Sequence, residues 1–316
     1  MKNCIATILD DKYLAGFLLT LFSITQSTKN IDFDIIVLEW GELSDESRDK
    51  IAKVYDKVIY KRIDTNLYDK CFYDSTWREW TYNCNYRFDI FVLEQYDKVL
   101  FFDCDIIFQI DVSDMLAHDV DFGACSANPR RVSQTNKIDG FGGGLLLVGK
   151  KYLNNDTRMR LIELALSKPL EDENLNTDKW ISDEPILNVY FHNKVTFLPE
   201  SYNLEITKLT SEKMKHKNNY HFVGHNKPWY GERMDERFDS FIFKEITSKE
   251  GHYSNIYLIK DLIQVYKNVA HDLRSQKNIN ITDYVGKIKP RPSKICPINS
   301  DGVDVTKFSC WPIVKR

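Results

Sequence analysis

The opening third of the chain alternates short β-rich runs with helical patterns, and that alternation confines it to folds built on a parallel sheet. Cys4 to Leu9 reads as a buried strand, with Tyr13 to Gln26 as the helix behind it. Phe33 to Leu38 is the next strand, followed by a helix from Ser44 to Tyr55 with a serine cap and acidic first turn. Lys57 to Lys61 is a third strand, and a mostly helical stretch from Arg87 to Tyr96 leads into the hydrophobic run Lys98 to Phe102. Strands that alternate with helices make right-handed βαβ units.

After Asp105 the pattern changes. Phe122 to Cys125 and Gly143 to Val148 read as shorter strands. A helix is expected from Asp183 to His192, capped by Ser182 or Asp183, with Pro185 in the first turn, where a missing N–H costs little. Lys194 to Leu198 follows as a strand, and Ile256 to Val269 is the clearest amphipathic segment of the remainder. With no internal repeat and no low-complexity linker, the expected division is an α/β domain over 1–240 and a partly helical extension over 241–316.

Composition narrows the function. Of 316 residues, 43% are apolar and 28% charged, an ordinary soluble balance, and the net charge of −3 supplies no field for nucleic acid. The tail is locally basic at Lys287, Lys289, Arg291, Lys294 and Lys315-Arg316. It reads as a solvated tail, with weak peripheral contact to an anionic membrane as the alternative. The cysteines Cys4, Cys71, Cys84, Cys104, Cys125, Cys296 and Cys310 are odd in number and form no Cys-x-x-Cys pair, a pattern of reduced thiols. The longest apolar run, Leu14 to Ile24, is too short to span a bilayer, and no secretion signal is evident. The expected location is the cytoplasm.

Asp103-Cys104-Asp105 ends the most hydrophobic strand, and ligand sites of parallel sheets lie beyond the carboxyl ends of strands. Residues two apart on an extended chain face the same way, so both carboxylates can reach one cation. Hard oxygen ligands suit manganese or magnesium, which can bridge nucleotide phosphates. Taken alone, the pair also reads as a solvated turn. A second cluster is His221-Phe-Val-Gly224-His-Asn-Lys227-Pro228-Trp229. A neutral imidazole completes a mixed oxygen and nitrogen site. Gly224 admits a close backbone N–H to a phosphate, and Lys227 brings a point charge. The bland alternative is a turn closing on Pro228-Trp229, with His221 buried.

Together these motifs resemble glycosyltransferase family 8, the group of glycogenin and the bacterial lipooligosaccharide galactosyltransferases. The resemblance covers about residues 3 to 230. It implies a GT-A (Rossmann-like) nucleotide-sugar-binding fold with a mostly parallel central sheet, and retention of configuration at the transferred sugar. It implies Asp103, Asp105 and His221 as ligands of Mn2+, with Mg2+ as the alternative, and Gly224 and Lys227 as diphosphate contacts. Asp10-Asp11-Lys12-Tyr13 resembles the uracil-holding segment, with Tyr13 as the stacking platform and Thr7 and Asp10 as polar contacts. Arg78 and Arg87 match two basic donor-contacting positions, and Asn128-Pro129 stands where an acidic-Pro pair touches the sugar. Asp183-Glu184 with Asn188 resembles the sugar-face segment.

Two positions depart from the family pattern. Gly142 stands where a polar residue usually follows Phe141, and Glu184 replaces a Gln. The implied reaction moves a hexose, glucose or galactose, from a UDP-sugar to a glycan, lipid-linked or protein acceptor, with Asp183 and Glu184 beside the anomeric carbon. Two alternatives stand against it. A haloacid-dehalogenase-type phosphatase would use Asp103 as nucleophile, but it would carry a Thr or Val where this chain has Ile107. A non-catalytic nucleotide-sugar binding protein would bind metal and nucleotide without turnover.

Overall fold

The computed structural model describes residues 2–71, 84–126, 140–167, 182–223, 229 and 254–284. The N-terminal part runs β1 (Asn3–Leu9), α1 (Leu14–Ser27), β2 (Asp34–Glu39), α2 (Asp45–Val54), β3 (Val58–Arg62) and β4 (Lys98–Phe102). The middle adds β5 (Ile106–Ile107), α3 (Val112–Leu116), β6 (Phe122–Ser126), β7 (Phe141–Gly149), α4 (Asn155–Leu166), α5 (Asp183–Tyr190) and β8 (Thr196–Leu198). The rest contributes β9 (Leu204–Glu205), α6 (Ser211–Met214), β10 (Tyr220–His221) and α7 (Ser254–Lys277).

The sheet has seven strands in the order β3-β2-β1-β4-β7-β6-β8. The pairs β1/β2, β2/β3, β1/β4 and β6/β8 are parallel, while β7 runs antiparallel to both β4 and β6. The sheet is therefore mostly parallel, as the alternation requires. Both faces are covered over the central strands, so β1, β4 and β7 are largely apolar and buried, whereas the edge strand β3 has no buried residue. Ile5 and Leu9 of β1 point into the core beneath α1 and α2, and Cys4 and Ala6 into a second core that includes Phe88, Leu161 and Ile186.

Local chemistry sets the element boundaries. Ser44 caps α2 by accepting from the Ser47 N–H, and Asn154 caps α4 by accepting from that of Thr157. The helical stretch expected from Arg87 to Tyr96 is a tighter 3-10 run, Cys84–Val92. Ser182 holds the cap position of α5 without a side-chain cap hydrogen bond.

Two irregularities shape what lies beyond β4. Ala124 pairs with Leu146 and Ser126 with Phe141, so two steps along β6 match five along β7. The excess is a wide bulge containing Gly142, Gly143 and Gly144. A separate small sheet, β5-β10-β9, is hinged on Asn219. Its side chain is fully buried, accepts from the N–H groups of Gln109 (2.9 Å) and Ile110 (3.0 Å), and donates to the Tyr202 carbonyl (3.0 Å). Helix α7 returns to the body of the fold, with Leu262, Tyr266 and Leu273 buried in the core that α1 lines.

Replacing Asn219 with Ala strands the part-buried N–H groups of Gln109 and Ile110 and the Tyr202 carbonyl. We expect a loss of roughly 1–3 kcal/mol in chemical denaturation. An unchanged transition would remove Asn219 as the hinge of the small sheet.

Candidate active site

Asp103 and Asp105 flank Cys104 just past β4. Cys104 is turned inward: its thiol donates to the Ile8 carbonyl at 3.0 Å and lies 3.2 Å from the Thr7 hydroxyl. Burial pushes that thiol above its ordinary pKa. The Cys104 carbonyl accepts from the Thr20 hydroxyl at 3.0 Å, and a Cβ on Gly16 of α1 would stand only 2.6 Å from it. Cys104 and Asp105 form a turn between β4 and β5, and with Cys104 held against α1 both acids stay partly exposed.

His221 meets them from β10. Its Nε2 is 3.1 Å from Asp105 Oδ1 and 3.7 Å from Asp103 Oδ2. The backbone fixes this approach, because His221 pairs with Ile106 across β5/β10 and the Phe222 N–H donates to the Asp105 carbonyl at 2.9 Å. Asp103 is tied separately to the bulge through its N–H and the Gly144 carbonyl, 2.9 Å. One ligand atom from each of the three residues lies within 4.8 Å of the others. A Cβ on Gly144 would overlap the His221 ring, so only glycine lets the imidazole in. Two carboxylates and an imidazole fit a divalent cation of the manganese or magnesium type.

On the other side of the bulge lies Arg87, which is buried. Its Nε is 2.8 Å from Asp183 Oδ2 and its Nη2 is 3.3 Å from Asp103 Oδ1, while Nη1 donates to the Gly143 carbonyl. Burial opposes the guanidinium charge, but Asp183 and Asp103 outweigh it and raise its pKa. Burial pushes the Asp183 carboxyl up to about 7, against the pull of Arg87. Glu184 accepts from the Gly143 N–H at 3.1 Å. Asn188, one helical turn on, accepts from the Phe141 N–H and donates to the Phe141 and Glu184 carbonyls, each at 2.9 Å. That explains an Asn at this position: it clamps α5 to the start of the bulge.

The other predicted residues divide by location. Asp10 is buried beyond β1, where it caps the next turn by accepting from the N–H groups of Lys12 and Tyr13. Burial raises its carboxyl to about 6, against those hydrogen bonds and Lys12. Tyr13 is half-buried at the start of α1, and Thr7 is fully buried against Cys104. Arg78, Asn128, Gly224 and Lys227 lie outside the described residues. Trp229 is buried against Phe222 and Tyr266, and packs beneath Gly16.

A family model described as glycosyl transferase family 8 matches residues 4–232. The chain belongs to glycosyltransferase family 8. Glycosyltransferase GlyF of Streptococcus pneumoniae serotype 4 is 25% identical over 242 residues, covering 72% of this chain and 58% of that protein. A probable glycosyl transferase, Gly, of Streptococcus gordonii is 26% identical over 206 residues, covering 62% of this chain and 27% of the other. This chain thus spans little more than half of GlyF and about a quarter of Gly. Among solved structures, a galactosyltransferase LgtC captured with donor and acceptor sugar analogs superposes with a TM-score of 0.57 at 17% identity, covering 78% of this chain and 95% of that one. GlyE of S. pneumoniae TIGR4 gives 0.51 at 20% identity, covering 85% and 64%. These likenesses place the family 8 domain in the GT-A fold.

The family 8 motifs account for the triad and for α5, but not for two residues that the fold brings to the same place. Asn219 is the hinge two residues before His221. Glu205 of β9 is buried and pairs in register with His221, with its carboxylate oxygen 3.5 Å from where a Cβ on Gly142 would stand. An isolated Glu followed by Ile206 in a run without period gives no sequence signal. Only the parallel β9/β10 pairing reveals it.

Gly144→Ala forces the His221 ring from its seat while leaving all three ligands in the sequence. Manganese affinity, read by titration calorimetry, should fall at least about tenfold. Undiminished affinity would mean that the imidazole is not a ligand. Arg87→Met removes the only described cation bonded to Asp183, and a loss of about 3–5 kcal/mol in stability is expected, measured by denaturant unfolding.

Proposed function

We propose that this chain is a retaining hexosyltransferase that takes its sugar from a UDP donor, glucose or galactose, and requires manganese. The observation that carries the proposal is the bulge of β7, with a metal-ligand triad on one side and Arg87, Asp183 and Glu184 on the other. Glycosyl transfer needs both halves: a place for growing charge on the departing diphosphate, and carboxyl groups beside an electron-poor anomeric carbon.

Asp103, Asp105 and His221 would hold the cation, which supplies Lewis-acid stabilisation of the diphosphate. Gly224 and Lys227 add a backbone N–H and a positive charge to that end. Tyr13 stacks on the uracil, with Thr7 and Asp10 near its edge, and Arg78 and Asn128 contact the donor. Arg87 acts from beneath, neutralising Asp183 and Asp103 so that two acids tolerate an incoming diphosphate. Glu184 and Asp183 stabilise the oxocarbenium-like state as the bond to the leaving phosphate lengthens. The leaving phosphate oxygen accepts the acceptor hydroxyl proton on the same face, which retains configuration without a covalent adduct. A covalent route through Glu184 is the second reading, because a carboxylate is the better nucleophile where a Gln is usual.

A glycan, lipid-linked or protein acceptor completes the reaction. No helix among the described residues is long and apolar enough to cross a membrane, and Cys4, Cys71, Cys104 and Cys125 are free thiols. Free thiols support a cytoplasmic setting. The basic stretch that would make peripheral membrane contact lies outside the described residues. Against a phosphatase using Asp103 stands the ion pair of that carboxylate with Arg87, which blunts it as a nucleophile.

A panel of nucleotide sugars with manganese, scored by release of free nucleotide, tests the proposal. Turnover of a UDP-hexose is expected, reduced about 100-fold or more in Asp103→Asn. If no donor turns over, or the variant matches the wild type, the assignment fails and a binding protein remains. In the same assay Glu184→Gln should keep turnover within about tenfold. A loss of several thousandfold would instead establish the covalent route.

A further inference from the structure

Beyond the triad and α5, one carboxylate at the bulge has no assigned task, and the fold has gone to some length to place it. Glu205 belongs to a two-residue strand held only by the small sheet, where it is the parallel partner of His221. Its side chain is buried, at 3% exposure, and it reaches the bulge from the His221 side. The three glycines read out what surrounds them. A Cβ at Gly144 would overlap His221, one at Gly143 would overlap Arg87, and one at Gly142 would make ordinary contact, 3.5 Å, with Glu205. Gly142 is therefore not glycine because its neighbours leave no room. Its bareness leaves the Glu205 carboxylate facing backbone where any other residue would cover it.

We propose that Glu205 and the bare backbone of Gly142 form a subsite for the hydroxyls of the donor hexose. The inference rests on the donor-site reading above and adds a specificity-determining residue to it. Gly142 lies two residues from Gly144, at most about 7 Å along the strand. That span matches the reach from a cation-bound phosphate to the far hydroxyls of the sugar it carries. A carboxylate there accepts from two adjacent hydroxyls at once, and hydrogen bonds to charged acceptors are the stronger kind. The same charge sets the sugar class. A neutral hexose with free hydroxyls is taken, while a uronic acid would bring a second carboxylate into a partly dry site against Glu205.

The test compares UDP with UDP-glucose, UDP-galactose and UDP-glucuronate by titration calorimetry in manganese, on the full chain. In Glu205→Gln, UDP should bind as in the wild type, while the better-bound UDP-hexose weakens about tenfold. Its preference over UDP-glucuronate should narrow. Gly142→Ala is the second variant, because the added methyl fits its surroundings and intrudes only on the proposed subsite. It too should weaken UDP-hexose and spare UDP. If both variants keep the wild-type ratio of UDP-hexose to UDP affinity, the subsite is overturned while the donor site stands. If the wild type binds no UDP, the donor-site reading and this inference fall together.

Discussion

The site depends on one buried charge. Arg87 is ion-paired with Asp183 from α5 and Asp103 from the end of β4 and donates to the Gly143 carbonyl in the bulge, so three elements distant in sequence meet on one guanidinium. Only an arginine can do this, because its planar fork presents several donors in fixed directions and keeps its charge when dry. Its flat face lies 5.0 Å from the Phe101 ring, which leaves the edge of the group free for its carboxyl partners. Taking that charge out of water is costly, and its bonds to the carboxylates offset the cost. Remove it, and Asp183 is left buried beside Glu184 with no other cation among the described residues paired to it.

The bulge is the second constraint. A regular strand at β7 would bring alternating side chains between the two halves of the site. The extra residues let the chain pass as bare backbone, so its amide and carbonyl groups serve Glu184, Arg87 and Asp103 directly. Each glycine faces a different neighbour, which makes the run a gauge of how closely the halves approach. Two of the three are forced by sterics. The third, Gly142, is not.

Much of this was legible in the sequence because hydrophobic runs report strands well. β1, β2, β3 and β4 fall within a residue of their expected limits, and Asp103 and Asp105 stand at the end of the most apolar of them. His221 stands out as well, since a histidine three residues before a glycine and six before a lysine is an unusual spacing, and the fold brings it to the two acids. What escaped detection lacked periodicity. β5, β9 and β10 hold two residues each, too few to show alternation, and they bring Glu205 and Asn219 to the site. Helix α4 was not anticipated despite its Asn154 cap. The reversal of β7 was invisible because an all-apolar strand reads the same in either direction.

The order of the ligands along the chain has a consequence for biosynthesis. Asp103 and Asp105 emerge early, whereas His221 arrives with β10, the strand that completes the small sheet. Domains generally fold as units as the ribosome extends the chain. Residue 221 lies near the end of the stretch that the family model matches, so the unit cannot close until the third residue of the cluster has emerged. Any fragment released before residue 221 would carry Asp103 and Asp105 without the imidazole that completes the cluster.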